Sequence, residues 1–176
     1  MTPVIRDATP ADIPAITAIY AVEVTDFVNT YEYEVPDEAE MARRMDDIRA
    51  RGYPYLAAEL DGEVVGYAYA GSFRSRAAYN RVVENSVYVA ATAQGRGVGT
   101  ALLQALIDAC VARGFRQMIA VIGEPVNTAS IKLHERFGFR HIGTFPGIAW
   151  KHGRWLDTVF MQRALGDGTG SPPSNE

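Results

Sequence analysis

The stretch VYVAATAQGRGVGTALL, residues 87–103, is the most informative part of this chain. It begins with the β-branched and aromatic residues of a strand, passes through a glycine-dense turn and continues as an apolar helix. The glycines allow the backbone to approach a ligand closely. The amides of Gly95, Gly97, Gly99 and Thr100 can then converge at the helix N-terminus, where the helix dipole favours an anion. The sequence therefore predicts a phosphate-binding turn between a strand and a helix.

Two common phosphate-binding motifs do not fit this turn. A Walker loop ends in a lysine followed by serine or threonine, whereas the last glycine here is followed by Thr100 and Ala101. A dinucleotide-binding turn has the spacing G-x-G-x-x-G and an acidic residue about 20 positions later, where this chain has GFRQ at 114–117. A turn that serves only the backbone remains the structural alternative to a phosphate site.

Length and composition favour one globular enzyme-sized domain. The chain has 176 residues, of which 48% are hydrophobic and 22% charged, and its formal net charge of -4 argues against a nucleic-acid partner. No apolar run approaches the roughly 20 residues of a membrane-spanning helix, and the N-terminus lacks a signal-peptide pattern. A single cysteine, Cys110, excludes an internal disulfide and falls on an apolar helix stripe. We expect a cytoplasmic protein with no membrane partner.

The periodicity of apolar residues predicts alternating strands and helices. A helix should begin at Pro10 after the N-cap Thr9, and the other helices should cover 37–51, 99–113 and 129–137. Strands are expected at 4–6, 55–60, 64–70, 85–90, 117–122, 140–144 and 156–163, with loops at 25–36, 72–81 and 145–154. The helix at 99–113 should connect its two flanking strands in parallel.

These elements predict an α+β fold with helices on both faces of a mixed, mostly antiparallel central sheet. The parallel pair of strands at 85–90 and 117–122 carries the phosphate turn. A single domain should occupy residues 1–165, and the polar, glycine-rich tail at 166–176 is expected to be disordered.

Two blocks resemble the signatures of the GCN5-related N-acetyltransferase (GNAT) superfamily. The motif Gln94-x-x-Gly97-x-Gly99 resembles its pyrophosphate loop, and NTASIKLHERFGF at 127–139 resembles its second signature. The second block departs from that signature in having serine at 130 for alanine and histidine at 134 for tyrosine. The resemblance implies the GNAT fold, with the parallel strands splayed apart, and acetyl-CoA as co-substrate. The cofactor-binding residues that it implies are Val87, Tyr88, Val89, Gln94, Gly95, Arg96, Gly97, Val98, Gly99, Thr100, Asn127 and Ser130.

Further segments resemble one branch of that superfamily, the phosphinothricin and methionine sulfoximine acetyltransferases. These segments are AYAGSFRSRAAY at 68–79, VENSVYV at 83–89, VIG at 121–123 and KHGRWLD at 151–157. The branch carries histidine where other acetyltransferases carry tyrosine, which agrees with His134. The resemblance implies a small amino acid analogue as substrate and a homodimer with active-site loops near its interface.

The same resemblance gives the catalytic residues their expected roles. Glu84, just before the central strand, is expected to be the general base that deprotonates the acceptor amine. His134 is expected to protonate the coenzyme A thiolate, and the Val89 amide to stabilise the oxyanion in a direct transfer. The structural alternatives are a solvated strand-end carboxylate for Glu84 and a packed helix residue for His134.

Substrate specificity is expected to lie in the loops. Arg74, Arg76 and Tyr79 form one candidate cluster, since the planar guanidinium suits two-oxygen groups of an amino acid. Tyr31, Lys151 and His152 form a second cluster. A solvated basic loop is the alternative for the arginines. The three histidines of the chain, His134, His141 and His152, show no ligand spacing, so no metal is expected.

Three functions are compatible with these residues. The first is N-acetylation of the α-amine of a small amino acid analogue. A peptide or protein N-terminal acetyltransferase is the second, although that function calls for an open groove. A non-catalytic sensor of coenzyme A is the third, and the presence of a candidate base and acid argues against it.

Overall fold

A seven-stranded sheet forms the centre of the molecule in a computed structural model that describes residues 2–123 and 128–173. The strand order is β1-β2-β3-β4-β5-β7-β6, and among the strands of these described residues only β4 and β5 pair in parallel. This confirms the predicted fold class. The strands are β1 (Val4–Asp7), β2 (Tyr55–Leu60), β3 (Glu63–Ser72), β4 (Val82–Val89), β5 (Gln117–Gly123), β6 (Arg140–Lys151) and β7 (Arg154–Ala164). The α-helices are α1 (Ile13–Thr25), α2 (Glu38–Ala50), α3 (Val98–Ala112) and α4 (Thr128–Arg136).

Capping and turn chemistry set the ends of several helices. Thr9 and Asp12 form a capping box around a single 3-10 turn that begins at Pro10, and α1 continues from it. The carboxylate of Asp37 accepts a hydrogen bond from the Glu40 amide and so caps α2. Within the described residues, no helix has the length and apolar character needed to cross a membrane.

The parallel strands β4 and β5 diverge after a short paired region. Their register runs from Val82 opposite Gln117 to Asn85 opposite Ala120 and then stops. Beyond that point β4 stays paired with β3 as far as Val89, while β5 stays paired with β7 as far as Gly123. The unpaired halves therefore splay apart and open a gap in the middle of the sheet.

Each face of the sheet has its own core. Helix α3 contributes Leu102, Leu103 and Leu106 to one apolar cluster, which Val87 and Val89 of β4 also contact. Helices α1 and α2 pack on the other face, where Tyr88 of β4 lies beside their cluster. Because side chains alternate along a strand, Glu84 and Ser86 share the α1/α2 face with Tyr88, whereas Asn85 lies on the α3 face.

The predicted loop at 145–154 is wrong, because most of it belongs to a long hairpin. Strand β6 extends to Lys151 and pairs with β7 through Trp150 opposite Trp155, with the turn at His152 and Gly153. Pro146 and Gly147, which are residue types typical of loops, lie where the register shifts between Phe145 and Ala149. A proline is compatible with an irregularity in an edge strand, where its missing N–H breaks no ladder bond.

The last described residues contact the domain through one arginine. The guanidinium of Arg116 donates hydrogen bonds to the carbonyl oxygens of Gly168, Ser171 and Pro172. Residues 174–176 lie outside the described part of the chain. The disorder of the tail as a whole and the domain boundary at 165 stay predictions.

Candidate active site

A cavity of about 990 Å³ passes through the gap between β4 and β5. On the α3 face it reaches the glycine-rich turn and α4. On the α1/α2 face it is bounded by the end of α1 and by the loop that follows it. The single cavity therefore connects the predicted phosphate turn with the predicted general base, and it does so through the sheet.

The turn before α3 presents free backbone donors to this cavity. Gly97 is the N-cap of α3 in the left-handed conformation, with φ +82, and no side chain among the described residues caps the helix. The first intrahelical bond runs from the Ala101 amide to the Gly97 carbonyl at 3.0 Å. The amides of Val98, Gly99 and Thr100 precede that bond and have no intrahelical acceptor. An uncapped helix N-terminus with open space around Gly95 and Gly97 fits a diphosphate.

Backbone alternation decides which amides of β4 face the gap. The Ala90 amide donates to the Val65 carbonyl on β3 at 2.9 Å. Since successive residues of a strand point their backbone groups to opposite sides, Tyr88 also faces β3. Val87 and Val89 therefore direct their N–H and C=O groups toward the gap. This geometry agrees with Val89 as the expected oxyanion donor and leaves Tyr88 to line the cavity with its side chain.

The carboxylate of Glu84 lies in a partly desolvated environment on the α1/α2 face. Burial raises its pKa above the ordinary glutamate value, and the Arg74 guanidinium opposes that shift. Tyr69 lies close enough that the charge of Glu84 raises the pKa of the phenol. A carboxylate with a raised pKa is suited to accept a proton from an ammonium group. The solvated strand end offered as the alternative for Glu84 does not match this burial.

His134 is buried on the opposite face of the sheet, with both ring nitrogens close to protein acceptors. Nδ1 lies 2.8 Å from the carbonyl oxygen of Ser130, so Nδ1 carries a proton. Nε2 lies 3.0 Å from Oδ1 of Asn85, whose Nδ2 donates to the Ile119 carbonyl. Burial lowers the pKa of the imidazole, and the Ser130 carbonyl raises it. The ring also packs edge-on against Phe139.

The loop after α1 forms the wall of the cavity on the α1/α2 face, and buried Lys151 holds it. The ammonium of Lys151 donates to the carbonyl oxygens of Phe27 and Thr30 at 2.7 Å each and approaches that of Glu23 at 3.5 Å. Gly123 permits the close approach of this loop, since a Cβ there would lie 2.4 Å from the Val28 carbonyl oxygen.

The structure brings together most of the residues predicted for the cofactor and the chemistry. Asn127 lies outside the described residues. Arg96 does not line the cavity and approaches Asp61 at 3.9 Å. The predicted site residues that line the cavity are Tyr31, Glu84, Val87, Tyr88, Val89, Gln94, Gly95, Gly97, Val98, Gly99, Thr100, Ser130 and His134.

The predicted substrate residues divide into three groups. The Tyr31 hydroxyl hydrogen-bonds Thr158 while its ring lines the cavity. Lys151 and His152 lie behind the loop and contact its carbonyl oxygens, so the structure does not bring them into the cavity wall. The third group lies on the connection between β3 and β4, outside the wall, and consists of Arg74, Arg76 and Tyr79.

Several cavity residues were missed by the sequence reasoning. Glu23 lies on the buried stripe of α1 with Ile16 and Ile19, and an acid at an apolar position of a helix was an available signal. Asn85 follows Glu84 in a strand and is 7% exposed, but no pattern in the sequence pairs it with His134. Tyr69 lines the cavity from β3.

Comparison with known proteins gives one family. The model of the acetyltransferase (GNAT) family matches residues 16–139. A phosphinothricin N-acetyltransferase of Alcaligenes faecalis is 46% identical over 170 residues, which make up 97% of this chain and 85% of that protein. An L-methionine sulfoximine/L-methionine sulfone acetyltransferase of Pseudomonas paraeruginosa is 45% identical over 175 residues, 98% of this chain and 100% of the relative. The crystal structure of a phosphinothricin acetyltransferase from Sinorhizobium meliloti with acetyl-CoA has a TM-score of 0.96 and 50% identity, covering 99% of this chain and 95% of that chain.

Proposed function

The chain is an N-acetyltransferase of the GNAT family, in the branch of phosphinothricin and methionine sulfoximine acetyltransferases, and we propose that it acetylates the α-amine of a small amino acid analogue with acetyl-CoA. Phosphinothricin, methionine sulfoximine and methionine sulfone are the proposed acceptors. One observation carries this proposal. A single cavity joins the free amides at the start of α3 to the buried carboxylate of Glu84 through the gap between β4 and β5.

Acetyl-CoA is proposed to bind on the α3 face. The amides of Val98, Gly99 and Thr100 would donate to the diphosphate, and the Gln94 and Gly95 segment would line it. The backbone of Val87 would hydrogen-bond the pantetheine arm in the manner of a missing strand. The proposed roles of Asn127 and Ser130 beside that arm rest on the resemblance to the family.

Glu84 is proposed to prepare the acceptor for attack. An α-ammonium group must lose a proton before its nitrogen can attack a thioester carbonyl. Glu84 would accept that proton, directly or through a water molecule, on the α1/α2 face. The Val89 amide would donate to the carbonyl oxygen of the thioester and stabilise the negative charge that develops there. The chain's groups then act from both sides of the gap, which favours direct transfer without an acyl-enzyme.

His134 is proposed as the acid that protonates the leaving thiolate. Its placement sets a condition on that role, because Nδ1 is committed to the Ser130 carbonyl and Nε2 faces Asn85. Because Nδ1 already carries a proton and burial lowers the pKa of the imidazole, Nε2 would first have to take up a second proton, and it could pass that proton to a thiolate only if the contact with Asn85 opened. Asn85 would therefore orient the proton-bearing nitrogen between turnovers.

The acceptor's carboxylate is proposed to bind near the connection between β3 and β4. Burial raises the pKa of the Glu84 carboxyl, and Arg74 lies close enough to oppose that shift, so a cation lies beside the proposed site of proton transfer. Arg76 and Tyr79 would complete this contact from the same connection. Tyr31 would contact the acceptor from the opposite wall.

Neither alternative function is favoured. The relatives reported above are named for acetylating small molecules. A peptide acceptor would need an open groove, whereas Lys151 holds the loop after α1 in place as a wall of the cavity. A sensor without activity would not need a buried carboxylate beside the gap.

We also propose that the protein is a cytoplasmic homodimer. Strand β6 is one of the two edge strands of the sheet, and its hairpin with β7 exposes large apolar side chains. Light scattering coupled to size-exclusion chromatography tests the proposed dimer, and a monomer at micromolar concentration would contradict it. The exposed apolar residues of the β6/β7 hairpin are Ile142, Phe145, Ile148, Trp150 and Trp155.

Thiol release from acetyl-CoA tests the proposed function. The acceptors compared are phosphinothricin, methionine sulfoximine, methionine sulfone, methionine and a short peptide. Turnover with the amino acid analogues but not with the peptide is the expected result. The Glu84→Gln variant should lose about 10²- to 10⁴-fold in kcat while binding acetyl-CoA normally. Turnover with the peptide alone, or full activity of that variant, would refute the proposal.

A further inference from the structure

Glu23 places a second carboxylate in the cavity, separate from Glu84. It lies near the end of α1 on the buried stripe of that helix and is 6% exposed. Its charge raises the pKa of Tyr88, so Glu23 lies beside the part of β4 that borders the gap. Both carboxylates are on the α1/α2 face of the sheet, opposite the phosphate turn. Glu23 therefore faces the acceptor and not the cofactor.

The carboxylate of Glu23 has hydrogen-bonding capacity to spare. Asn29 donates one hydrogen bond to Oε2. No ion pair within 4 Å involves Glu23 in the part of the chain that the structure describes. Burial raises the pKa of the Glu23 carboxyl, and the nearby Lys151 opposes that shift although its ammonium is directed to the loop carbonyls. A carboxylate can accept about four hydrogen bonds, so most of this capacity remains for a ligand.

The chemistry of such a group selects its partner. A buried carboxylate with few partners is costly, and a ligand that brings an N–H donor or a positive charge relieves that cost. A ligand that brings a second anion increases it. Since Glu84 is assigned to the α-amine, Glu23 is left to meet the far end of the acceptor's side chain.

Resting on the proposed function, we propose that Glu23 determines specificity, selecting acceptors whose side chain ends in an N–H donor or a cation over those that end in an anion. Methionine sulfoximine carries an N–H where methionine sulfone carries an oxygen, and the two are otherwise the same shape. Phosphinothricin ends in an anionic phosphinate. The expected order of kcat/KM is therefore sulfoximine, then sulfone, then phosphinothricin.

The test compares kcat/KM for these three acceptors in the wild type, Glu23→Gln and Asp26→Asn. The wild type should prefer the sulfoximine over the sulfone by roughly ten- to a hundredfold, the range for one hydrogen bond to a charged group. In Glu23→Gln, the kcat/KM values for the sulfoximine and the sulfone should differ by only a few-fold. The kcat/KM for phosphinothricin should rise relative to both. Asp26 is an exposed acid three residues away, and its variant should keep the wild-type ratios.

The outcomes separate this inference from the function on which it rests. Equal turnover of sulfoximine and sulfone by the wild type overturns the inference alone, and this comparison does not depend on how well any variant folds. Unchanged ratios in a folded Glu23→Gln protein also overturn it. If the wild type acetylates none of the three, the proposed function fails and the inference fails with it.

Discussion

Replacing Lys151 by methionine should destabilise the protein and loosen the loop after α1. This loop forms the wall of the cavity at which the acceptor is proposed to bind, here called the acceptor wall. Lys151 is 2% exposed, and its ammonium holds the loop after α1 through the carbonyl oxygens of Phe27 and Thr30. Methionine retains most of the aliphatic volume of lysine, so the change removes the charge and the donors with little change in packing. In the variant, the carbonyl groups of Phe27 and Thr30 would lose the donor that Lys151 supplies. The Glu23 carboxylate would lose its neighbouring cation.

The expected loss in the free energy of unfolding is the difference between the lost hydrogen bonds and the relieved burial of a charge. Two hydrogen bonds from a charged donor are worth about 1.5–3 kcal/mol each, and the abandoned carbonyl groups add a desolvation cost. Relief of the cost of burying the ammonium offsets part of this loss. We expect a net loss of about 3 kcal/mol in the free energy of unfolding, near the lower end for removing one partner of a buried charged contact. For a domain of this size, that loss lowers Tm by roughly 6–12 °C.

Urea and thermal unfolding measure this loss, and the sequence supplies a matched control. The chain has two lysines, and the other, Lys132, is exposed. Lys132→Met should change the free energy of unfolding by less than about 0.5 kcal/mol. Lys151→Met should also raise KM for the acceptor because its loop is no longer fixed. A Lys151→Met protein as stable as the Lys132→Met protein, with an unchanged KM, would refute the reasoning.

Three further predictions concern the two ends of the cavity. Because burial raises the pKa of Glu84 and the ionised form is the base, kcat/KM should fall as the pH drops through that raised pKa, and this limb should vanish from the residual pH profile of Glu84→Gln. In Gly123→Ala the new methyl group should push against the Val28 carbonyl, lower the free energy of unfolding by about 1–3 kcal/mol and raise KM for the acceptor. Gly143→Ala is the control, since Gly143 has open space around it, and it should change neither quantity. Gly97→Ala should raise KM for acetyl-CoA, since a side chain at φ +82 costs about 1–2 kcal/mol. An unchanged KM for acetyl-CoA in that variant would contradict the role of the turn.

Local patterns were enough to find the glycine-rich turn at which the cofactor is proposed to bind. The strand, the glycines and the helix at 87–103 are contiguous, so their geometry follows from short-range rules. The observed elements β4 and α3 begin within three residues of their expected starts at 85 and 99. The parallel partner β5 also followed, because a strand, a helix and a strand connect in only one common way.

The part of the cavity on the α1/α2 face, where the acceptor is proposed to bind, could not be found from local patterns. Lys151 and the carbonyl oxygen of Thr30 are 121 residues apart in the chain, and nothing local indicates that they meet. Lys151 was predicted to contact the substrate, whereas the hairpin points its ammonium at backbone oxygens. The continuation of β6 through Pro146 and Gly147 was likewise not predicted, because an irregularity in an edge strand can contain the residue types that are typical of a loop.

The sequence by itself determined the fold class and the position of the glycine-rich turn, and its resemblance to the family indicated Glu84 as the proposed base, because each depends on neighbours along the chain or on a motif of fixed spacing. Only the tertiary structure decided how these parts share one site. Adjacent residues Glu84 and Asn85 point to opposite faces of β4, so one meets the acceptor wall and the other meets His134. That division depends on which helices cover each face and on where β4 and β5 part, and both are set by packing between segments distant in sequence.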